Sequence, residues 1–194
     1  TMTFLFMYII VLNIISLCSV INNEPGSHSQ IRDVDLPMKI KLMVVGKTAS
    51  PWLIEGIDVY VKRLIHYTDF SFEVVPDIRN AASLSQEQLK DLEATAIMKR
   101  VQPRDMIILL DEGGKQFSSE QMAEQLQKWM TAGSSNILFV VGGAFGFGKE
   151  LQAAAKFRIS LSPMTFSHQM VRLIFVEQLY RAFTILRKEP YQHR

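Results

Sequence analysis

Two short strand patterns, residues 137–141 (ILFVV) and 157–161 (FRISL), each run straight into a loop of small residues. This pairing constrains the fold more than any other part of the chain. A brief apolar run bounded by turn residues reads as a strand buried on both faces. In an α/β sheet, ligands settle where such strands deliver loops at their carboxyl ends. The loops, GGAFGFG and SPMTFS, are close enough in sequence to share one pocket, so a nucleotide-like ligand is the first expectation.

The upstream chain supplies the rest of a sheet. Residues 39–46 read as a buried strand ending in a glycine turn. Residues 51–66 place Trp52, Leu53, Ile57, Tyr60, Val61, Leu64 and Ile65 near a helical period. Residues 70–75 alternate as a strand that Pro76 closes, and residues 77–84 form a polar loop. Ser85 with Gln88 resembles a capping box for a helix running to about Arg100. DMIILL (residues 105–110) is a further strand, with DEGGK as its turn. Ser118 and Ser119 open a helix with apolar Met122, Leu126, Trp129 and Met130, ended by Gly133. A helical segment, residues 149–156, joins the two strands first named. Alternating strands and helices with short connections predict one α/β domain, a mostly parallel sheet with helices on both faces.

The last helix, about residues 168–188, carries one apolar stripe (Val171, Ile174, Phe175, Leu179, Ala182, Phe183, Leu186) and a second formed by Leu173, Val176 and Tyr180. A helix apolar on more than one side is buried on more than one side. Two readings stay open: a subunit contact, symmetric dimers being the commonest oligomers, or deep burial within the chain.

Residues 1–37 differ from the rest. Residues 4–21 are almost continuously apolar, near the lower limit for a bilayer span, and residues 22–37 form a polar connector. A secretory signal would want basic residues at its start, yet no Lys or Arg precedes Arg32. Met38 is therefore expected to be the working start, with residues 38–194 as the domain. The competing reading is a working leader, either a signal cleaved after a small residue such as Ser19 or a membrane anchor. The single cysteine, Cys18, lies in the leader, so residues 38–194 lack a disulfide, a thiolate metal site and a cysteine nucleophile. That fits a cytoplasmic location with no membrane partner. Without Arg32 among the 21 basic residues, and without Glu24, Asp33 and Asp35 among the 19 acidic ones, the domain has 20 against 16 and a net charge of +4. Such mild basicity suits a polyanion without requiring one.

Several chemistries read poorly. Glycines 142, 143, 146 and 148 match neither the dinucleotide fingerprint nor a P-loop. They fit a strand-to-helix turn where backbone approaches a ligand, or a flexible connector. No serine sits in a nucleophile elbow, and no metal is expected, because the histidines lack ligand spacing. Asp111 and Glu112 are adjacent and make a poor acid–base pair. Residues 161–172 are more specific. Pro163 stiffens the loop and restrains Ser162, and its backbone polar groups can bond an adenine edge. Ser167 can cap the next helix. His168 and Arg172, four apart on one helix face, can aim at an anion or a base edge. The tail (EPYQHR) reads by default as a frayed terminus, although Tyr191, His193 and Arg194 could stack on a base and hold phosphate.

From Met38 to its end the sequence resembles the ribosomal large-subunit pseudouridine N3-methyltransferases of the SPOUT superfamily. The resemblance lies in MKIKLMVVGK, LLDEGGK, FVVGGAFG, LSPMTFSHQMVR, EQLYRAF and the late EPY. It implies S-adenosylmethionine bound in a C-terminal trefoil knot, a homodimer, and a target in the RNA of the large subunit or assembled ribosome. Position by position, it places cofactor contacts at Leu110, Gly142, Leu161, Ser162, Pro163, Met164, Thr165 and Phe166. In that setting the expected catalytic residues are Arg172, stabilising charge on the base, His168, orienting or relaying the N3 proton, and Tyr191, stacking on an unstacked base. Ser167 stands where the family usually has proline, and Gln192 separates Tyr191 from His193, which disturbs the usual PYH tail. The competing functions are a related methyltransferase acting on another atom, such as a ribose 2′-oxygen, and a non-catalytic ribosome-binding factor.

Overall fold

The computed structural model describes residues 39–132 and 136–191. The leader with Cys18, the glycine stop at 133, and the tail residues Gln192, His193 and Arg194 lie outside the described residues.

Five strands build one sheet: β1 (Lys39–Val45), β2 (Asp69–Val75), β3 (Asp105–Gln116), β4 (Asn136–Val141) and β5 (Phe157–Ser160). The order is β2-β1-β4-β3-β5 and every pairing is parallel. All five carboxyl ends therefore open on one edge. Among the described residues, five α-helices and a short 3-10 turn (Ala81–Ser83) connect and flank the strands: α1 (Pro51–Leu64), α2 (Gln86–Met98), α3 (Ser119–Thr131), α4 (Lys149–Ala154) and α5 (His168–Leu186).

The period-two alternation of strand side chains divides the core in two. Ile40, Leu42 and Val44 of β1 join Phe139 of β4 under α1, α3 and α5. Met43 and Val45 face the other way and join Leu138 and Val140 under α2 and α4. Helices thus cover both faces, as a parallel sheet requires. Helix starts follow local chemistry. Pro51 opens α1, and Ser85 with Gln88 and Ser118 with Gln121 make both bonds of a capping box.

The final helix uses much of its apolar surface inside the chain. It packs against α1, α3 and β4, and no residue from His168 to Leu186 is exposed. Gly56 of α1 allows the close crossing: a Cβ there would stand 3.0 Å from Leu173 Cδ1. Phe175, Val176, Leu179, Ala182 and Phe183 are buried in this way, whereas Val171, Leu173, Ile174, Tyr180 and Leu186 are only partly covered.

One element departs from the sequence expectation. DEGGK does not end β3, because the strand continues to Gln116. Leu110 and Lys115 both register with Ile159 of β5, so residues 111–114 are looped out between two pairings. Composition signalled the turn correctly, but a bulge lets the ladder resume beyond it. No described helix is long and apolar enough to cross a membrane.

Candidate functional site

A cavity of about 560 Å³ opens at the carboxyl ends of β4 and β5 and beside the excursion of β3, walled by that excursion and by the loops after β4 and β5. The loop after β4 folds back on itself. Gly143 and Gly146 form an isolated bridge, and Gly146 turns through φ +84°, a conformation that favours glycine. A Cβ on Gly142 would stand 3.0 Å from both Gly146 O and the Phe147 ring. The loop after β5 is pinned by short side-chain bonds. Ser160 Oγ donates to Ser162 O at 2.9 Å, Ser162 Oγ accepts from Met164 N–H at 2.9 Å, and Ser167 Oγ caps α5 by accepting from Met170 N–H at 3.3 Å. Thr165 Oγ1 donates to Glu112 at 3.0 Å, tying this loop to the excursion of β3. Preformed walls of this kind suit a small ligand of nucleoside size.

Seven of the eight expected cofactor positions line the cavity: Leu110, Gly142, Leu161, Ser162, Met164, Thr165 and Phe166. Pro163 is not among the lining residues. It is exposed and serves the turn instead. Asp111, Glu112, Phe145 and Phe147 also line it. Among the described residues, no three His, Cys, Asp or Glu side chains group so as to hold a metal ion.

The three residues expected to be catalytic are not brought together. His168 lines the cavity, and its pKa is lowered by burial first and the nearby Arg172 second, against the opposing pull of Asp77. Arg172 is placed otherwise than expected. It does not line the cavity and is fully buried. Its guanidinium donates to Val45 O (2.5 Å), Gly46 O (2.9 Å) and Thr48 Oγ1 (2.9 Å), holding the loop between β1 and α1. The reason is register: His168 and Arg172 share a helix face, but one turn further along that face meets β1 rather than the pocket. Tyr191 also lies away from the cavity. Its hydroxyl meets Glu177 (3.3 Å) and Tyr60 (3.4 Å), its ring meets Tyr180 edge-on at 4.9 Å, and the Arg181 guanidinium stands 4.9 Å from its centre.

Sequence reasoning missed two residues beside the pocket. Gln169 clamps the same β1–α1 loop, bonding Ala49 N–H and Lys47 O. Glu93 of α2 is buried, at 8% exposure. A Cβ on Gly143 would stand 2.6 Å from both its carboxylate oxygens, which explains why glycine is needed there. A readable signal existed for Glu93: it adjoins Ala94 and falls four residues before Ile97, both core positions of α2. Burial raises its pKa, partly offset by a hydrogen bond from the Gly143 N–H, with Asp77 raising it further. A carboxyl whose folded-state pKa is raised supplies stability below its unfolded value and loses it as pH climbs through the folded value. Glu93→Gln, which keeps an acceptor for Gly143, should therefore melt higher than the parent once pH has climbed through the raised value. The two melting curves should converge as pH falls toward the ordinary value of 4.5. Differential scanning fluorimetry across this range checks it, and equal melting temperatures throughout would refute it.

A parallel α/β sheet with its ligand cavity at the carboxyl ends of β4 and β5 and beside the excursion of β3 defines a protein that binds a small nucleoside-like molecule. Comparison narrows this class: the family model described as "Predicted SPOUT methyltransferase" matches residues 38–193, and the chain belongs to that family. It is 51% identical over 156 residues to the ribosomal RNA large subunit methyltransferase H of Parabacteroides distasonis, covering 80% of this chain and 99% of that protein. The protein of the same name from Christiangramia forsetii is 52% identical over 157 residues, covering 81% and 100%. Among solved structures, the SpoU methyltransferase AviRb from Streptomyces viridochromogenes in complex with the cofactor AdoMet aligns at a TM-score of 0.40. Identity there is 14%, over 86% of this chain and 64% of that one.

Proposed function

We propose that residues 38–194 form an S-adenosylmethionine-dependent methyltransferase acting on N3 of a pseudouridine in large-subunit ribosomal RNA, in the cytoplasm and as a homodimer. One observation carries the reading. The glycine-folded loop after β4 and the serine-pinned loop after β5 wall a single cavity at the sheet edge. Relatives named as ribosomal RNA large subunit methyltransferases, matched over 99% and 100% of their length, point to the substrate.

The residues suit the cofactor. Leu110, Leu161, Met164 and Phe166 offer apolar walls for an adenine ring. Backbone groups of residues 161–166 would bond its polar edge, and Gly142 lets the loop after β4 fold tightly against Gly146 and Phe147. Bound there, the sulfonium supplies an electrophilic methyl group, so the protein's contribution is alignment. His168 orients the base from the start of α5. Arg172 is a positioning residue, fixing the β1–α1 loop beneath that helix start. Tyr191 follows the far end of α5, and 19 helical residues span roughly 28 Å. Any contact it makes with a target base must therefore come from a second copy of the chain. The trefoil knot implied by the resemblance is part of this proposal. A net charge near +4 favours recognition of a shaped, assembled RNA surface over tight electrostatic grip on naked RNA.

Incubating the purified protein with methyl-labelled S-adenosylmethionine and either large subunits or joined ribosomes tests the reading. Label is expected on pseudouridine N3. Label on a ribose, or cofactor-independent ribosome binding without transfer, would overturn it.

A further inference from the structure

Two adjacent side chains in the first turn of α5 together decide the protonation of one ring. Gln169 Oε1 accepts the Ala49 N–H at 3.1 Å, and its Nε2 donates to the Lys47 carbonyl at 3.2 Å. A backbone N–H only donates and a carbonyl only accepts, so the orientation of this amide is fixed from both ends. The same amide nitrogen stands 3.2 Å from Nε2 of His168. An amide nitrogen offers hydrogens and no lone pair, so His168 Nε2 must be the acceptor. In a neutral ring the proton then sits on Nδ1.

We propose that Gln169 holds His168 as the neutral Nδ1–H tautomer, so that the ring offers the pocket a hydrogen-bond donor and no free base. The charges acting on the ring agree. A proton added to Nε2 would face the Gln169 amide hydrogens and the guanidinium of Arg172, with Asp77 as the opposing charge. Within the methyltransferase reading, on which this consequence rests, N3 of a pseudouridine lies between two carbonyl groups. A neutral donor beside it grips one of those oxygens and withdraws charge from the base as N3 reacts. His168 then binds and polarises substrate. The methyl group passes from the sulfonium to N3, S-adenosylhomocysteine leaves, and the N3 proton is lost to solvent water and not to the ring. Gln169 is a positioning residue that acts through it.

Long-range proton–nitrogen NMR on imidazole-labelled protein without cofactor or RNA reads the tautomer directly, with His168 assigned through His168→Asn. Nδ1 is expected to carry the pyrrole-type signal and Nε2 the pyridine-type signal from pH 6.5 to 8. In Gln169→Leu, which keeps bulk but supplies no donor, the ring should move toward Nε2–H. An Nε2–H or protonated His168 in the parent protein at pH 7 would overturn the proposal, as would a Leu variant with an unchanged ring spectrum. The parent measurement requires no variant to fold and no turnover. It can fail while methyl transfer succeeds, and the reverse, so the two readings stand or fall separately.

Discussion

Replacing Arg172 with alanine is expected to lower the unfolding free energy by about 3–5 kcal/mol, the range for removing one member of a buried charged network. The side chain is fully buried, and three oxygens depend on it: Val45 O, Gly46 O and Thr48 Oγ1. The two buried carbonyls, Val45 O and Gly46 O, cost roughly 1–3 kcal/mol each when left without a donor, and the vacated volume adds to that. Asp77, whose charge helps offset the cost of burying the guanidinium, would lose its counter-charge. Urea unfolding at pH 7 measures the loss, which in a domain near 150 residues amounts to roughly 10 °C in melting temperature. Arg172→Lys should recover less than half, because a single ammonium cannot span three acceptors as a planar fork does. A variant with parental stability but no methyl transfer would instead assign the guanidinium to the reacting base.

Arg172 shows what the sequence could and could not convey. Its i, i+4 relation to His168 places both on one side of α5, and that much is local geometry. Which of them meets the cavity depends on where β1 ends relative to the helix, and spacing carries no such information. The same division holds along the chain. Strands, capping boxes and the loops after β4 and β5 follow from short-range patterns; the individual contact positions came from the family resemblance, and seven of those eight line the cavity. The order β2-β1-β4-β3-β5 was not, because pairing β4 between β1 and β3 is a long-range choice. The place of Tyr191, away from the cavity of its own chain, was hidden for a related reason. Its aromatic character suggested base stacking, yet within its own chain Tyr180 and Arg181 meet its ring and Tyr60 meets its hydroxyl. Gln169 escaped notice because its role lies in bonds to residues 120 and 122 positions away.

The second large effect is expected at Gly114, where the excursion of β3 passes closest to β5. A Cβ there would stand 2.6 Å from both Ile159 N and Ile159 C and 2.7 Å from Arg158 C. These are backbone atoms of a paired strand and cannot swing aside as a side-chain tip would. Gly114→Ala must therefore push the excursion off β5. The pairing of Lys115 with Ile159 is then lost, and Glu112 is carried away from Thr165, its partner across the pocket. Overpacking of this kind costs roughly 1–3 kcal/mol and occasionally more, and with only backbone to yield the upper end is expected. Because the excursion and the loop after β5 share one cavity wall, calorimetry should show cofactor binding lost along with stability. Gly146→Ala is the control. Its φ of +84° strains any side chain, but nothing lies within 4 Å of the added Cβ, so the penalty should stay near 1–2 kcal/mol. Equal losses at the two glycines would mean that backbone freedom alone governs these loops. A larger loss at Gly114 identifies contact between β3 and β5 as what keeps the pocket in shape.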